Sequence, residues 1–167
     1  AYAHHHLGLI YERQGRDADA RAHFEKAASL SPADLGSGVP IGPEEFRAEL
    51  AEAIAELPDE LAELMPHVEI VVLDVPPIDD LKAAEPPFSP TILGLFRGRP
   101  LGAGEEVGEG AETADTGPRT IFLYRKNLAR SVRGRDELDW QIRKTLRHEL
   151  GHLEGFDEDE LRRMGLE

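Results

Sequence analysis

Residues 136–154 read DELDWQIRKTLRHELGHLE, a run without proline. Leu138, Ile142, Leu146, Leu150 and Leu153 return at spacings of three and four, the pattern of a helix with one apolar side. Asp136 is the expected N-cap, with Asp139 in the first turn, where acids oppose the helix dipole. Gly155 is the expected stop, since glycine adopts the left-handed conformation that ends many helices. At about 100° per residue the leucines and Ile142 fill one arc. His148 and His152 flank that arc and Glu149 points into it.

Two imidazoles four residues apart project from the same side of a helix, so both reach one ion. A carboxylate pointing toward an apolar side is costly to bury unpaired. A cation with a bound water removes that cost. His-Glu-x-x-His is the arrangement zinc peptidases use: the histidines ligate and the glutamate takes a proton from water. Zinc takes three protein ligands and one open position in such sites. The acids Asp157, Glu158 and Asp159 follow Gly155 closely enough to supply the third. The same acids also suit the N-terminus of a short last helix, 157–165. One of them can bind metal while its neighbour caps.

The upstream segments complete a small mixed fold. Pro43 opens a helix with Glu44 and Glu45 in its first turn and Phe46, Leu50, Ile54 and Leu57 on its apolar side. Pro58 interrupts it, and a further turn or two runs to Met65. Residues 68–75, 91–97 and 119–125 read as strands, with Gly94 inside the second. Glycine there permits close approach of another backbone or marks a bulge. Residues 75–90, with clustered prolines, read as an irregular loop. Residues 98–118 are rich in Gly and Glu and read as a surface loop or a flap over the cleft. Tyr124, Arg125 and Lys126, at the end of the third strand, are candidates to stabilise an oxyanion or else solvated strand-end residues. Gly151 costs about 1 kcal/mol relative to alanine in a helix interior, which a tight packing contact explains.

Residues 1–32 carry a different pattern. Leu7, Gly8, Tyr11, Ala20, Phe24, Ala27 and Pro32 occupy the key positions of one tetratricopeptide repeat, with helices over 1–14 and 17–30. One such repeat does not bury its own apolar face. Either earlier repeats precede Ala1 or the hairpin packs on a partner surface. His4, His5 and His6 are adjacent, so they point different ways and do not converge on one ion. They read, like His23 and His67, as ordinary residues. Residues 33–42, ADLGSGVPIG, read as a linker.

His-Glu-x-x-His-x-x-Gly with an acid soon after resembles the zincin-like metallopeptidase family with a minimal zincin fold. PDELAELMPHVEIVVLDVPP (58–77), TILGLFRGRPL (91–101) and PRTIFLYRKNLAR (118–130) resemble that family's strands and their approaches, so the likeness covers about 44–167. It implies an α+β fold: a small mixed sheet of three or four strands on the His-Glu-x-x-His helix, preceded by an all-α hairpin. The domains implied are 1–32, a linker 33–42, and 43–167. It implies Zn2+ on His148, His152 and Glu158, where the family usually has aspartate, and Glu149 as general base for peptide hydrolysis through a metal-activated water. Ile92, Leu93, Gly94 and Leu95 would then line an extended substrate. The alternative is a non-catalytic interaction module, in which the repeat recruits a protein partner and the second domain binds metal.

Composition sets the outer limits. The chain has 167 residues, 33 acids against 19 Lys and Arg, and a net charge of −14. That balance argues against nucleic acid or an anionic membrane as partner and toward basic substrates. With no cysteine, any zinc ligand must be nitrogen or oxygen. No signal peptide and no bilayer-spanning run are visible, so the expected location is the cytoplasm. The chain starts at Ala1 without methionine, which leads us to expect a fragment of a longer protein.

Overall fold

The structure, a computed structural model, describes residues 1–36, 38–101 and 117–165. Two helices, α1 (Tyr2–Arg13) and α2 (Asp17–Leu30), form the opening hairpin. Gly15, at φ 71°, makes the turn between them. Ala20 and Ala27 are buried, and a Cβ on Gly8 would lie 2.6 Å from the Phe24 ring, so small residues let the helices close. Leu7 is exposed and Leu9 takes the buried place. Three adjacent histidines do diverge: His6 Nδ1 meets the Tyr2 carbonyl, His5 packs on Phe24, and His4 Nδ1 lies 2.9 Å from His23 Nδ1.

After the hairpin come α3 (Pro43–Ala55), α4 (Asp59–Ala62) and a 3-10 turn (Met65–His67). Strand β1 (Glu69–Leu73) and α5 (Ile78–Lys82) follow, then β2 (Gly94–Arg97), β3 (Thr120–Tyr124) and α6 (Arg125–Ser131). The chain ends with α7 (Arg135–Glu154) and α8 (Glu158–Arg163). The fold is α+β, with a three-stranded mixed sheet in the order β1-β3-β2. β3 lies between β1, which is parallel to it, and β2, which is antiparallel. β2 is therefore a sheet edge, and α7 packs beside it.

The predicted arc of α7 is the core. Leu138, Ile142, Leu146, Leu150 and Leu153 are fully buried, with Ile121 and Leu123 of β3 and Phe46 of α3. Burying each leucine contributes about 2 kcal/mol, so packing holds α7 in place far more than helix propensity does.

Several boundaries differ from the sequence reading. α7 begins at Arg135 with extended Gly134 as N-cap, not Asp136. The Glu137 carboxylate accepts the Arg133 N–H instead, so the cap works from inside the first turn. Strand 68–75 shortens to Glu69–Leu73 and strand 91–97 to Gly94–Arg97. The loop 75–90 contains α5, opened by Pro77 with Asp79 and Asp80 in its first turn. The third strand, expected over 119–125, ends at Tyr124, and Arg125–Ser131, for which the sequence reading names no element beyond Arg125, is helix α6, because Leu128 and Ala129 bury into the core. The expected flap, 98–118, lies outside the described residues for positions 102–116.

The linker stretch is not slack. Val39 and Ile41 are buried in the core. Val39 N–H bonds the Ala129 carbonyl at 2.8 Å. Gly38 has φ 72°, and a Cβ there would strike Ala129 O.

The hairpin docks on α6 through charge. Arg130 donates two hydrogen bonds to the Glu12 carboxylate, at 2.7 and 2.9 Å. Glu12 is 7% exposed and Arg130 16%. Lys126 reaches Glu12 and Asp17 at 3.7 and 3.6 Å. Breaking a buried pair from one side costs about 3 kcal/mol or more, because the other charge stays desolvated. Glu12→Ala is therefore expected to loosen the hairpin while α7 stays folded. Hydrogen exchange should quicken across α1 and α2 and stay slow across 138–153; unchanged protection of α1 would contradict this.

Candidate metal centre

α7 brings His148 and His152 to one point. Their Nε2 atoms are 3.1 Å apart and the ring planes stand at 83°. The Nδ1–H of His152 donates to the Phe156 carbonyl at 3.0 Å, which leaves its Nε2 lone pair facing the site. That carbonyl is delivered by the helix end. Gly155, at φ 111°, turns the chain, and Phe156 N–H closes back on the Gly151 carbonyl at 3.1 Å.

The turn also decides which acid returns. Asp157 caps α8: its carboxylate accepts the Glu160 N–H while Glu160 accepts the Asp157 N–H, a reciprocal capping box. Asp159 pairs with Arg162. Glu158 sits between these two and aims Oε1 at the histidines, 3.0 Å from His152 Nε2 and 3.5 Å from His148 Nε2. The three ligand atoms lie within 4.8 Å of one another. Two imidazole nitrogens and one carboxylate oxygen converging on one point form a donor set that suits zinc.

α8 is seated by Gly151. A Cβ on Gly151 would overlap the Leu161 side chain, so a bare backbone there lets α8 lie against α7. Leu161 is fully buried in consequence. The Gly151 packing contact expected from sequence is thus the seat of the helix that carries Glu158.

Glu149 is 5% exposed. Burial pushes its carboxyl up to about 8; the Phe96 backbone N–H pulls it down and the Glu158 charge raises it. β2 closes over it. A Cβ on Gly94 would lie 2.8 Å from Glu149 Oε1 and 2.9 Å from Thr145 Cγ2. Gly94 therefore marks close approach, of a side chain rather than of a second backbone. Gly94→Ala is expected to destabilise by about 1–3 kcal/mol through overpacking, read as a lower denaturant midpoint. An unchanged midpoint would mean that Glu149 moves aside freely.

A cleft of about 610 Å³ opens in front of these groups. Ile92, Leu93, Gly94 and Leu95 line it, as do His148, Glu149, His152 and Glu158. Two of the four precede β2, and their carbonyls are engaged: Ile92 O accepts from Asn127 and Leu93 O from the Tyr124 N–H. The oxyanion candidates lie elsewhere. Tyr124 is fully buried outside the cleft. Arg125 bonds Asp74 and the Ile41 carbonyl, and Lys126 faces the hairpin acids. Sequence reading missed Lys144 and Gln141 on the cleft wall. The signal for Lys144 was present, one helical turn before His148 on the same stripe. The Phe156 carbonyl had no signal, since every residue has one.

Among the described residues no helix is long and apolar enough to cross a membrane. No curated protein matches the chain. The tetratricopeptide repeat model matches residues 1–34, which is the α1–α2 hairpin and the turn after it. The model of the zincin-like metallopeptidases matches residues 65–166, more than half of the chain, from the turn before β1 through the terminal helices. With its paired histidines, buried glutamate and returning acid carried on the matched segment, the chain belongs to the zincin-like metallopeptidase family and bears a tetratricopeptide repeat at its front.

Proposed function

We propose that this protein is a zinc-dependent peptidase in which His148, His152 and Glu158 hold the ion and Glu149 is the general base. The observation that carries the reading is the convergence of those three ligand atoms within 4.8 Å, with a buried carboxylate on the adjacent helix position. Bound to such a set, zinc would supply Lewis-acid chemistry, polarising a peptide carbonyl and lowering the pKa of a water toward neutrality. Glu149, held by the Phe96 N–H, takes the proton from the attacking water and passes it to the leaving amine. His152 keeps one tautomer through Phe156 O. β2 is an edge of the sheet and borders the cleft, so an extended peptide adds to it as a further strand. Ile92, Leu93, Gly94 and Leu95 are the proposed substrate wall.

The proposed division is a recruiting hairpin (1–32), a connecting stretch (33–42) and the peptidase domain (43–167). Tyr2, Ile10 and Leu30 are exposed on the hairpin, which favours a protein partner there.

The test begins with the metal. The purified chain is expected to bind one Zn2+ and to cleave a diverse peptide pool only when loaded. Glu158→Ala is expected to lose about tenfold or more in zinc affinity. Asp157→Ala costs about 1 kcal/mol of helix cap and is expected to keep the ion. If Asp157→Ala loses zinc and Glu158→Ala does not, the ligand assignment is wrong. If the loaded chain cleaves nothing, the peptidase reading fails and the interaction module stands.

A further inference from the structure

The cleft is lopsided in charge. Glu149, Asp157 and Glu158 line it, and Lys144 is the only lysine or arginine among its described lining residues. Trp140, Lys144, His148 and His152 follow one another at intervals of four along α7, so they form one stripe leading to the metal ligands. Lys144 Nζ rests 4.9 Å from the centre of the Trp140 ring. A cation over an aromatic face is attracted to it, which limits where the ammonium wanders. Trp140 itself is 57% exposed.

The direction of a bound peptide follows from the packing. Gly94, at the start of β2, faces Thr145 and Glu149. Further on, the Leu101 N–H bonds the Leu153 carbonyl at 2.7 Å. β2 and α7 thus run the same way. A peptide paired antiparallel to β2, the more stable pairing, starts near Leu153 and ends near Thr145 and Lys144. Lys144 stands four residues, about 6 Å along the helix axis, from His148. Strand residues advance about 3.3 Å each, so the Lys144 position falls one or two residues beyond the bond under attack.

We propose that Lys144 is a specificity determinant that selects peptides carrying a carboxylate one or two residues on the C-terminal side of the cleaved bond. This rests on the peptidase reading of the same site. The carboxylate is either an acidic side chain or a free C-terminus. The net charge of −14 points the other way, toward basic substrates. Salt screens exposed charges beyond about 8 Å, however, so the cleft wall decides. There Glu149 and Glu158 face the cation and Lys144 faces the peptide.

The experiment maps cut sites in a peptide pool digested by the zinc-loaded full chain, once with free C-termini and once amidated. Asp or Glu is expected to be enriched at the first or second position after the cut, or cuts are expected to cluster near free C-termini. The amidated pool separates the two sources. Lys144→Glu is expected to lose the preference by about tenfold and to favour Lys or Arg there, with zinc content unchanged; Lys144→Arg is expected to keep it. A readout without turnover uses the Glu149→Gln chain and dye-labelled peptides that differ only by Glu or Gln at that position. Their anisotropy titrations should differ about tenfold, and Lys144→Glu should remove the difference. Cutting without an acid preference, or an identical preference in Lys144→Glu, overturns the proposal and leaves the peptidase reading intact. No cutting at all, with no difference between the labelled peptides, removes both.

Discussion

Glu149→Gln is expected to abolish peptide hydrolysis, keep zinc, and stabilise the metal-free chain at alkaline pH. The amide cannot accept a proton, so the loss should be about 10²–10⁴-fold, the usual share of a general base. Glu149 is not among the proposed ligands, so zinc stoichiometry should hold. The stability effect has a definite sign. In the folded, metal-free chain, burial lifts the Glu149 carboxyl from 4.5 to about 8. Between those values the folded chain holds a proton that the unfolded chain has released. Stability therefore declines as pH rises across that window. Glutamine carries no charge, so its variant lacks this decline. Thermal unfolding in chelator at pH 5, 7 and 9 should show the two chains diverging as pH rises, the variant melting several degrees higher at pH 9. Bound zinc should reverse the slope, because a nearby cation favours the carboxylate. Zinc lost together with activity would show that Glu149 is a ligand, and retained hydrolysis would remove it from the mechanism.

Gly151→Ala sets two effects against each other. Helix propensity favours alanine by about 1 kcal/mol. The new methyl, however, collides with Leu161, and overpacking a tight contact costs about 1–3 kcal/mol. Leu161 is fully buried, so it has nowhere to retreat, and the clash should win. The larger consequence is at the proposed metal site. Pushing α8 off α7 carries Glu158 away from the histidines, and zinc affinity is expected to fall about 10–100-fold, as when a ligand's support is lost. Leu161→Ala in the same chain removes the clash. It should recover zinc affinity more fully than melting temperature, since it leaves a cavity of its own. Equal affinities for wild type and Gly151→Ala would show that α8 is not held by this contact.

The apolar arc of α7 was readable because its cause is local. A period of 3.6 fixes which side chains share a face, and Leu138 through Leu153 bury as that period requires. The pairing of His148 with His152 has the same origin. Other features resisted reading. α6 was missed because its helicity depends on Leu128 and Ala129 finding the core. α5 was hidden among prolines that read as loop. The N-cap of α7 moved because Asp136 competed with an extended Gly134 and with Glu137 reaching back to the Arg133 N–H.

Sequence alone determined the helix, the histidine pair, the glutamate beside them and the hairpin in front, since each rests on residues within a few turns of one another. Only the tertiary structure decided which acid faces the histidines. Asp157, Glu158 and Asp159 are chemically near-equivalent in a string of letters. They part company when Asp157 is drawn into a capping box and Asp159 into a pair with Arg162. The same holds for Glu149 and Gly94, distant in sequence, whose closeness arises only when the sheet edge packs against α7.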